Sequence, residues 1–443
     1  MANAGSSDLE VEIIERVVVA PCLPSPRTIL PLSAIDNRVR GFGNVLLFYN
    51  GSSSVSADPA KIIREALSKM LVYYFPFAGR LRNKENGDLE VECTGEGAVF
   101  VEAMADTDLS SLGDLDAHNP SFHQLSVSPP VDSDIEGLHL AALQVTRFTC
   151  GGFVLGVSLN QSVCDGKGLG NFLKGVAEMV RGKDKPSIEP VWNREMVKFE
   201  DYTRLQFYHH EFIQPPLIDE KIVQKSLVIN LETINIIKRC IMEEYTKFFS
   251  TFEIVAAMVW LARTKAFKIP HSENAELLFT MDMRESFNPP LPKGYYGNVM
   301  GIVCALDNVK HLLSGSILRA AMVIQKSRFF FTENFRLRSM TQPSALTVKI
   351  KHKNVVACSD WRQYGYDEVD FGWGNAVNII PMQILWENEL GLVNFFTFLQ
   401  PTLNKLDGIK ILMFMPPSKV KHFEYEMESI IRKYVTKVCN SKL

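Results

Sequence analysis

A mixed α/β protein of two domains is what this sequence predicts, and three observations carry the prediction. A chain of 443 residues exceeds one ordinary core, so two or three domains are expected. Short apolar runs of strand length alternate with helical stripes through both halves, without a short-period repeat or low-complexity tract. Between the halves, Arg181 to Pro190 is polar, charged and twice interrupted by proline, which is how a linker reads. The expected boundaries are 1–180 for an N-terminal domain, 181–220 for a crossover linker and 221–443 for a C-terminal domain.

Each element rests on a local signal. Val11 to Val19 and Gly43 to Tyr49 read as strands, with Pro21, Pro24 and Pro26 between them. Asp58 caps a helix that opens on Pro59 and carries Ile62, Ile63, Ala66, Leu67 and Met70 on one stripe. Asn86-Gly87 marks a hairpin, behind which Leu89, Val91 and Cys93 alternate with Glu90 and Glu92. Gly151-Gly152 turns a second hairpin between Leu143 to Phe148 and Phe153 to Leu159, and the stripe Leu169, Phe172, Leu173, Val176 then keeps helical period until Gly182. In the second half, strand Ile222 to Asn230 and helix Glu232 to Glu244 precede a Ser250 to Glu253 capping box, which opens a helix containing Trp260. Leu277 to Met283 reads as a strand ending in Arg284, and the proline- and glycine-rich segment Asn288 to Asn298 as a loop. Helix Leu312 to Lys326 comes next, then an exposed stretch from Phe330 to Lys353. Strands at Val355 to Cys358, Phe395 to Leu399 and Ile409 to Met415 lead to a last helix from Ser418 to Tyr434.

Composition narrows the function. A hydrophobic share of 46%, a charged share of 22% and a net charge of -3 argue against nucleic acid or an anionic membrane as partner, so a substrate is expected in a pocket. Met1 to Glu10 lacks a basic flank and an apolar core, and no run is long enough to span a bilayer, so an intracellular protein is expected. The eight cysteines stand singly, which supports neither a zinc site nor a disulfide framework, and no metal is expected. The terminal Ser441-Lys442-Leu443 has the form of a peroxisomal address.

Three constellations stand out. At the elbow between the strand ending at Leu159 and the following helix, Asn160, Gln161, Ser162 and Asp165 make a polar loop, although Asp165-Gly166 is also what a plain helix cap looks like. Asp370-Phe371-Gly372-Trp373-Gly374 reads as a tight turn with a buried tryptophan. Arg284 at a strand end can pair with a buried acid or simply be solvated. Other chemistries find no purchase: there is no Gly-x-Ser-x-Gly, P-loop or His-Glu-x-x-His. His209-His210 reads as a surface pair and Cys164 as an inert, half-buried thiol.

With these motifs the sequence resembles the plant BAHD acyltransferases, which carry His-x-x-x-Asp-Gly near the middle and Asp-Phe-Gly-Trp-Gly in the last quarter. The resemblance runs over essentially the whole chain and includes Tyr73 to Leu81 and Gly294 to Asn298. Leu89 to Gly97, Gln144 to Gly152 and Phe287 to Asn298 resemble the taxane acyltransferases more narrowly, and Lys437 to Leu443 their aroyl and phenylpropanoyl branch. The resemblance implies a two-domain chloramphenicol-acetyltransferase-like fold with an interdomain active-site channel, the segment around 360–385 contributing to the interface. It implies transfer of an acetyl, benzoyl or phenylpropanoyl group from acyl-CoA, a co-substrate rather than a resident cofactor, to a hydroxyl of a taxane diterpenoid. A monomer in the cytoplasm is expected, with the peroxisome as the alternative. Gln161, Asp165 and Asp370 take the catalytic positions, Gly166, Arg284, Phe371, Gly372, Trp373 and Gly374 the structural ones, and Gly297 and Asn298 are candidates on the cofactor side.

The departure falls on the catalytic position, where Gln161 stands in place of histidine. A carboxamide takes up no proton at neutral pH, but it can orient a hydroxyl. A working enzyme that positions its acceptor through Gln161 is the first reading. A catalytically impaired paralogue that binds CoA or a taxane without efficient turnover is the second, and a partner role without ligand the third.

Overall fold

The computed structural model describes residues 9–52, 57–116, 119–127, 137–197, 222–338, 354–382, 395–401 and 407–440. Two six-stranded sheets form the frame. The first runs in the order β1 (Val11–Val19), β6 (Ala98–Ala105), β7 (Ala141–Arg147), β8 (Phe153–Asn160), β3 (Phe42–Tyr49), β13 (Asn378–Met382), and is antiparallel except between β6 and β7. The second runs β11 (Met300–Asn308), β10 (Asn274–Asp282), β12 (Val355–Asp360), β14 (Phe395–Leu399), β15 (Gly408–Met415), β9 (Val223–Asn230), with parallel pairs flanking β12. A small third sheet joins β2 (Ile29–Pro31), β5 (Leu89–Glu92) and β4 (Arg80–Asn83). The two halves of the chain do not divide cleanly into the two large sheets. Strand β13 leaves the second half to pair with β3, setting Ile380 opposite Leu46.

Local signals set the helices. Helix α1 (Pro59–Tyr73) starts where the Asp58 carboxylate accepts from the Ala60 N–H, and its stripe packs with α2 (Gly166–Val180) on the first sheet. Nearly every residue of β3 and β8 is buried, because helices cover one face while Leu46, Phe48, Phe122, Leu125 and Val154 fill a smaller core on the other. Against the second sheet lie α3 (Leu231–Tyr245), α4 (Thr251–Ala266), α6 (Ser316–Arg338) and α7 (Pro417–Asn440). The capping box opening α4 is complete, and the Glu253 carboxylate also accepts from Arg328 of α6 at 2.8 Å.

The helix expected over Leu312 to Lys326 is instead two. Short α5 (Val309–Ser314) ends at Gly315, whose N–H returns to the His311 carbonyl, and α6 then runs on to Arg338. The stripe Ile317, Ala320, Ala321 and Ile324 continues to Phe331, which packs on the second core, so the exposed stretch expected from Phe330 is helical as far as Arg338. Residues 339–353, most of the linker with His209-His210, and Ser441-Lys442-Leu443 lie outside the described residues. No disulfide joins the described cysteines, and no described helix is long and apolar enough to cross a membrane.

A second tie between the sheets is polar. Lys410 on β15, 1% exposed, places its ammonium 2.9 Å from Asp116 of the first half and 2.5 Å from the Asn378 side-chain oxygen on β13, and Ser226 on β9 donates to Asp116 at 2.9 Å. Burial alone would raise the Asp116 pKa, but Lys410 and its hydrogen-bond donors hold it below the ordinary carboxylate value. A depressed carboxyl pKa adds stability that is complete above the unfolded-state value of about 3.9 and is lost as pH falls through the lower folded-state value. The gap in urea midpoint between wild type and Asp116→Asn is therefore expected to be widest above pH 5 and to close below pH 4. A gap that stays constant through that range would contradict this account.

Candidate active site

The elbow forms where β8 ends at Asn160 and α2 begins at Gly166. Asp165 is the N-cap, its Oδ1 accepting from the Gly168 N–H at 2.9 Å. The cap is also half of a buried ion pair. Arg284, 3% exposed, places Nη2 2.9 Å from both Asp165 oxygens and Nη1 3.0 Å from Asp282, while its Nε donates to the Tyr295 carbonyl at 3.0 Å. Of the two readings open for Arg284, pairing with a buried acid is the one the structure contains. Burial works to lower its pKa, yet Asp165 and Asp282 carry it above its ordinary value. Burial pushes the Asp165 carboxyl up against the pull of the guanidinium. With both oxygens engaged, Asp165 is a support for the loop and not a proton acceptor.

Helix α2 meets the second half at close range. A Cβ at Gly170 would fall 1.9 Å from the Tyr364 carbonyl oxygen and one at Gly166 2.8 Å from the Tyr364 ring, so larger residues would push the helix away. The Tyr366 hydroxyl donates to the Gly166 carbonyl at 2.8 Å. Two turns apart on one face, Lys167, Lys174 and Arg181 reach acids or carbonyls of the second half: Asp282 at 2.8 Å, Glu368 at 2.5 Å and the Asp370 carbonyl at 2.8 Å.

A cavity of about 190 Å³ lies between the two sheets, lined from both halves. Gln161, Asp165, Gly166 and Asn298 line it, so four of the sequence-chosen residues meet there. The Gln161 carboxamide lies where a Cβ at Gly43 would come within 2.8 Å of its nitrogen; glycine at that position leaves it room. Thr280 and Ser359 add a hydroxyl pair 2.9 Å apart, and the Trp361 indole N–H donates to Ser359 at 3.0 Å. Ser359 is also a hydrogen-bond partner of the Tyr364 hydroxyl, so two bonds use two of the three hydroxyl hydrogens and leave one for a bound oxygen. The titratable lining groups are Cys164, Asp165, Tyr364 and Tyr366. Burial pushes the thiol and both phenols above their ordinary values, and the thiol is fully buried rather than half-buried. Among the described lining residues, none is a ready proton acceptor at neutral pH.

Asp370 does not line the cavity. Its Oδ1 accepts from the N–H groups of Gly372 and Gly374 at 2.7 and 2.9 Å, closing the turn. Phe371, not Trp373, is the buried aromatic of this turn: it sits edge-on to Tyr49, while half-buried Trp373 lies edge-on to Phe153. The tryptophan stays partly outside because Phe371 already fills the space beside β3, where the Tyr49 hydroxyl donates to the Val369 carbonyl. Gly297 lies under the Arg194 guanidinium, where a Cβ would stand 2.5 Å from its central carbon. One buried ion pair behind the elbow is not visible in the sequence: Asp36 and Arg194, both buried and 2.8 Å apart. Nothing local marks them, since Asp36 lies in a short loop helix and Arg194 in the linker-like stretch.

An elbow carrying a polar group into a cavity between the two halves, steadied by a buried Asp–Arg pair, fits the acyltransferase class that the two motifs resemble. The chain belongs to the Transferase family, whose profile matches residues 9–430. It is 62% identical over 98% of its length to the 2-alpha-hydroxytaxane 2-O-benzoyltransferase of Taxus cuspidata, covering 99% of that protein. It is 61% identical over full length to the baccatin III:3-amino-3-phenylpropanoyltransferase of Taxus cuspidata, and 59% identical over 98% of its length to the taxadien-5-alpha-ol O-acetyltransferase of Taxus chinensis, covering 99% of that protein. Among solved structures it resembles vinorine synthase with a TM-score of 0.70 over 95% of this chain and 98% of that one, at 20% identity, which shows the fold.

Arg284→Ala leaves Asp165 buried and unpaired, a loss expected to cost about 3–5 kcal/mol of stability. Arg284→Lys keeps the charge without the fork and is expected to fall between. Urea midpoints at pH 7 check both, and an alanine variant as stable as wild type would remove the pair from its structural place.

Proposed function

We propose that this protein transfers an acyl group, acetyl, benzoyl or phenylpropanoyl, from acyl-CoA to a hydroxyl of a taxane diterpenoid. The observation that carries the reading is full-length identity of 59–62% to Taxus taxoid transferases, combined with a cavity at the elbow where such a reaction needs one. The impaired-paralogue alternative draws no support from those relatives, each of which is named for a transfer reaction.

In this reading the thioester and the acceptor hydroxyl meet in the cavity. The Gln161 side-chain oxygen accepts the hydroxyl hydrogen bond and aims the oxygen at the thioester carbonyl carbon. As that bond forms, negative charge gathers on the carbonyl oxygen, where the remaining hydroxyl hydrogen of the Thr280, Ser359 and Tyr364 group stabilises it. The tetrahedral intermediate collapses by expelling the CoA thiolate, and the hydroxyl proton passes to water or to that thiolate. Asp165 and Arg284 keep the elbow in shape, and Asp370 closes its own turn. Acyl-CoA is thus a co-substrate. We place it as a monomer in the cytoplasm, with the peroxisome, through Ser441-Lys442-Leu443, as the alternative.

Wild type, Gln161→Ala and Gln161→His, each given a panel of acyl-CoA donors and partly acylated taxanes with products read by mass, test the reading. Wild type is expected to turn over. Gln161→Ala loses one neutral hydrogen bond, a drop of about fivefold to tenfold in kcat/KM. Gln161→His restores a general base, a group typically worth about 100- to 10,000-fold, and is expected to raise the rate with alcohol acceptors. Absence of product from wild type with every pair would defeat the proposal.

A further inference from the structure

The backbone of the elbow is held from behind by a buried polar cluster that the chemistry above does not use. The Asn298 side-chain N–H donates to the Gln161 carbonyl at 2.6 Å. The same amide and the Asn298 backbone N–H both donate to Asp36 Oδ1, at 2.8 and 2.9 Å. Asp36 Oδ2 takes the Ser33 hydroxyl at 2.8 Å and faces Arg194 Nε at 2.8 Å as an ion pair. Arg194 closes the ring: its Nη2 donates to the Val163 carbonyl at 2.7 Å, and its guanidinium is packed among the rings of Trp192, Tyr295 and Tyr296. The carbonyls on either side of Ser162 are therefore gripped by residues of the linker and the second half, and both grips converge on one carboxylate that is fully buried.

A buried ion pair is a poor source of stability, because an apolar pair of the same volume commonly serves as well. What it does supply is fixed geometry. We propose that Asn298, held by Asp36 and Arg194, is a positioning residue for acyl transfer that sets the aim of the Gln161 carboxamide by fixing the carbonyl of its own residue. The inference rests on the acyl-transfer reading given above. It also says something that reading does not: Asn298 acts through Gln161, so its effect requires the carboxamide to be there.

A double-mutant cycle on kcat tests this. Asn298→Ala is expected to lower kcat about fivefold, within the loss that Gln161→Ala itself produces, with KM for acyl-CoA changed less than threefold. In a Gln161→Ala background the same substitution is expected to change kcat less than twofold, since no carboxamide is left to misplace. Ser33→Ala loosens Asp36 from its far side without touching the elbow. It is expected to show a smaller loss, also abolished by Gln161→Ala, and it keeps the test alive should Asn298→Ala fold poorly. Losses that multiply in the double variants would overturn the proposal while leaving acyl transfer intact. So would an Asn298→Ala enzyme of wild-type kcat. A wild type without turnover on any donor and acceptor pair would end the underlying reading, and this one with it.

Discussion

The site depends on the ion pair between Asp165 and Arg284. The two residues lie 119 positions apart in sequence, one on the elbow of the first half and the other at the end of a strand in the second, and both are withdrawn from water. Removing two charges from solvent is costly, and the cost is met here by completeness: Arg284 also binds Asp282 and two backbone carbonyls, while Asp165 also caps α2. The same carboxylate thus terminates a helix and ties two halves together. Shifting either half relative to the other would break the ion pair, which is why a cavity between them can hold a defined shape.

Around that pair the halves are joined by backbone as well as by charge. Strand β13 completes the first sheet with residues from the second half, and the Asp370 turn just before it is pressed onto Tyr49 and Phe153. Asp370 spends its carboxylate on the N–H groups of its own turn, so its influence on the cavity runs through the placement of Phe371 and β13. The Asp116–Lys410–Asn378 cluster fastens the first residue of the same strand to β15. Together these contacts fix the cavity walls contributed by Pro381 and Met382 relative to the elbow opposite.

Much of this was legible in the sequence wherever the cause is local. Asp58-Pro59, Ser250 to Glu253 and Asn86-Gly87 each announce a helix start or a turn through hydrogen bonds made within a few residues, and each is found in place. Where the cause is distant, the sequence is silent. The continuation of α6 depends on Phe331 finding the second core, and the exposure of Trp373 depends on Phe371 reaching Tyr49 first. Asp36 and Arg194 are ordinary charged residues by composition, and only the approach of Asn298, 262 positions beyond Asp36, gives them a role. Gln161 was visible because a motif surrounds it, but the room Gly43 makes for its side chain was not.

The carboxamide at position 161 limits what the site can contribute to the rate. A general base is worth about 100- to 10,000-fold, or about 3–5 kcal/mol at 1.4 kcal/mol per factor of ten. Holding two substrates in reacting geometry contributes about 7–11 kcal/mol. The second quantity is the larger, and it depends on rigidity rather than on a proton acceptor. An elbow gripped on both flanking carbonyls, capped by a paired carboxylate and seated against glycines that admit no displacement has what positioning requires. Loss of the base therefore lowers the ceiling of such an enzyme without removing its principal source of acceleration, and it makes the rate more sensitive to anything that lets the carboxamide drift.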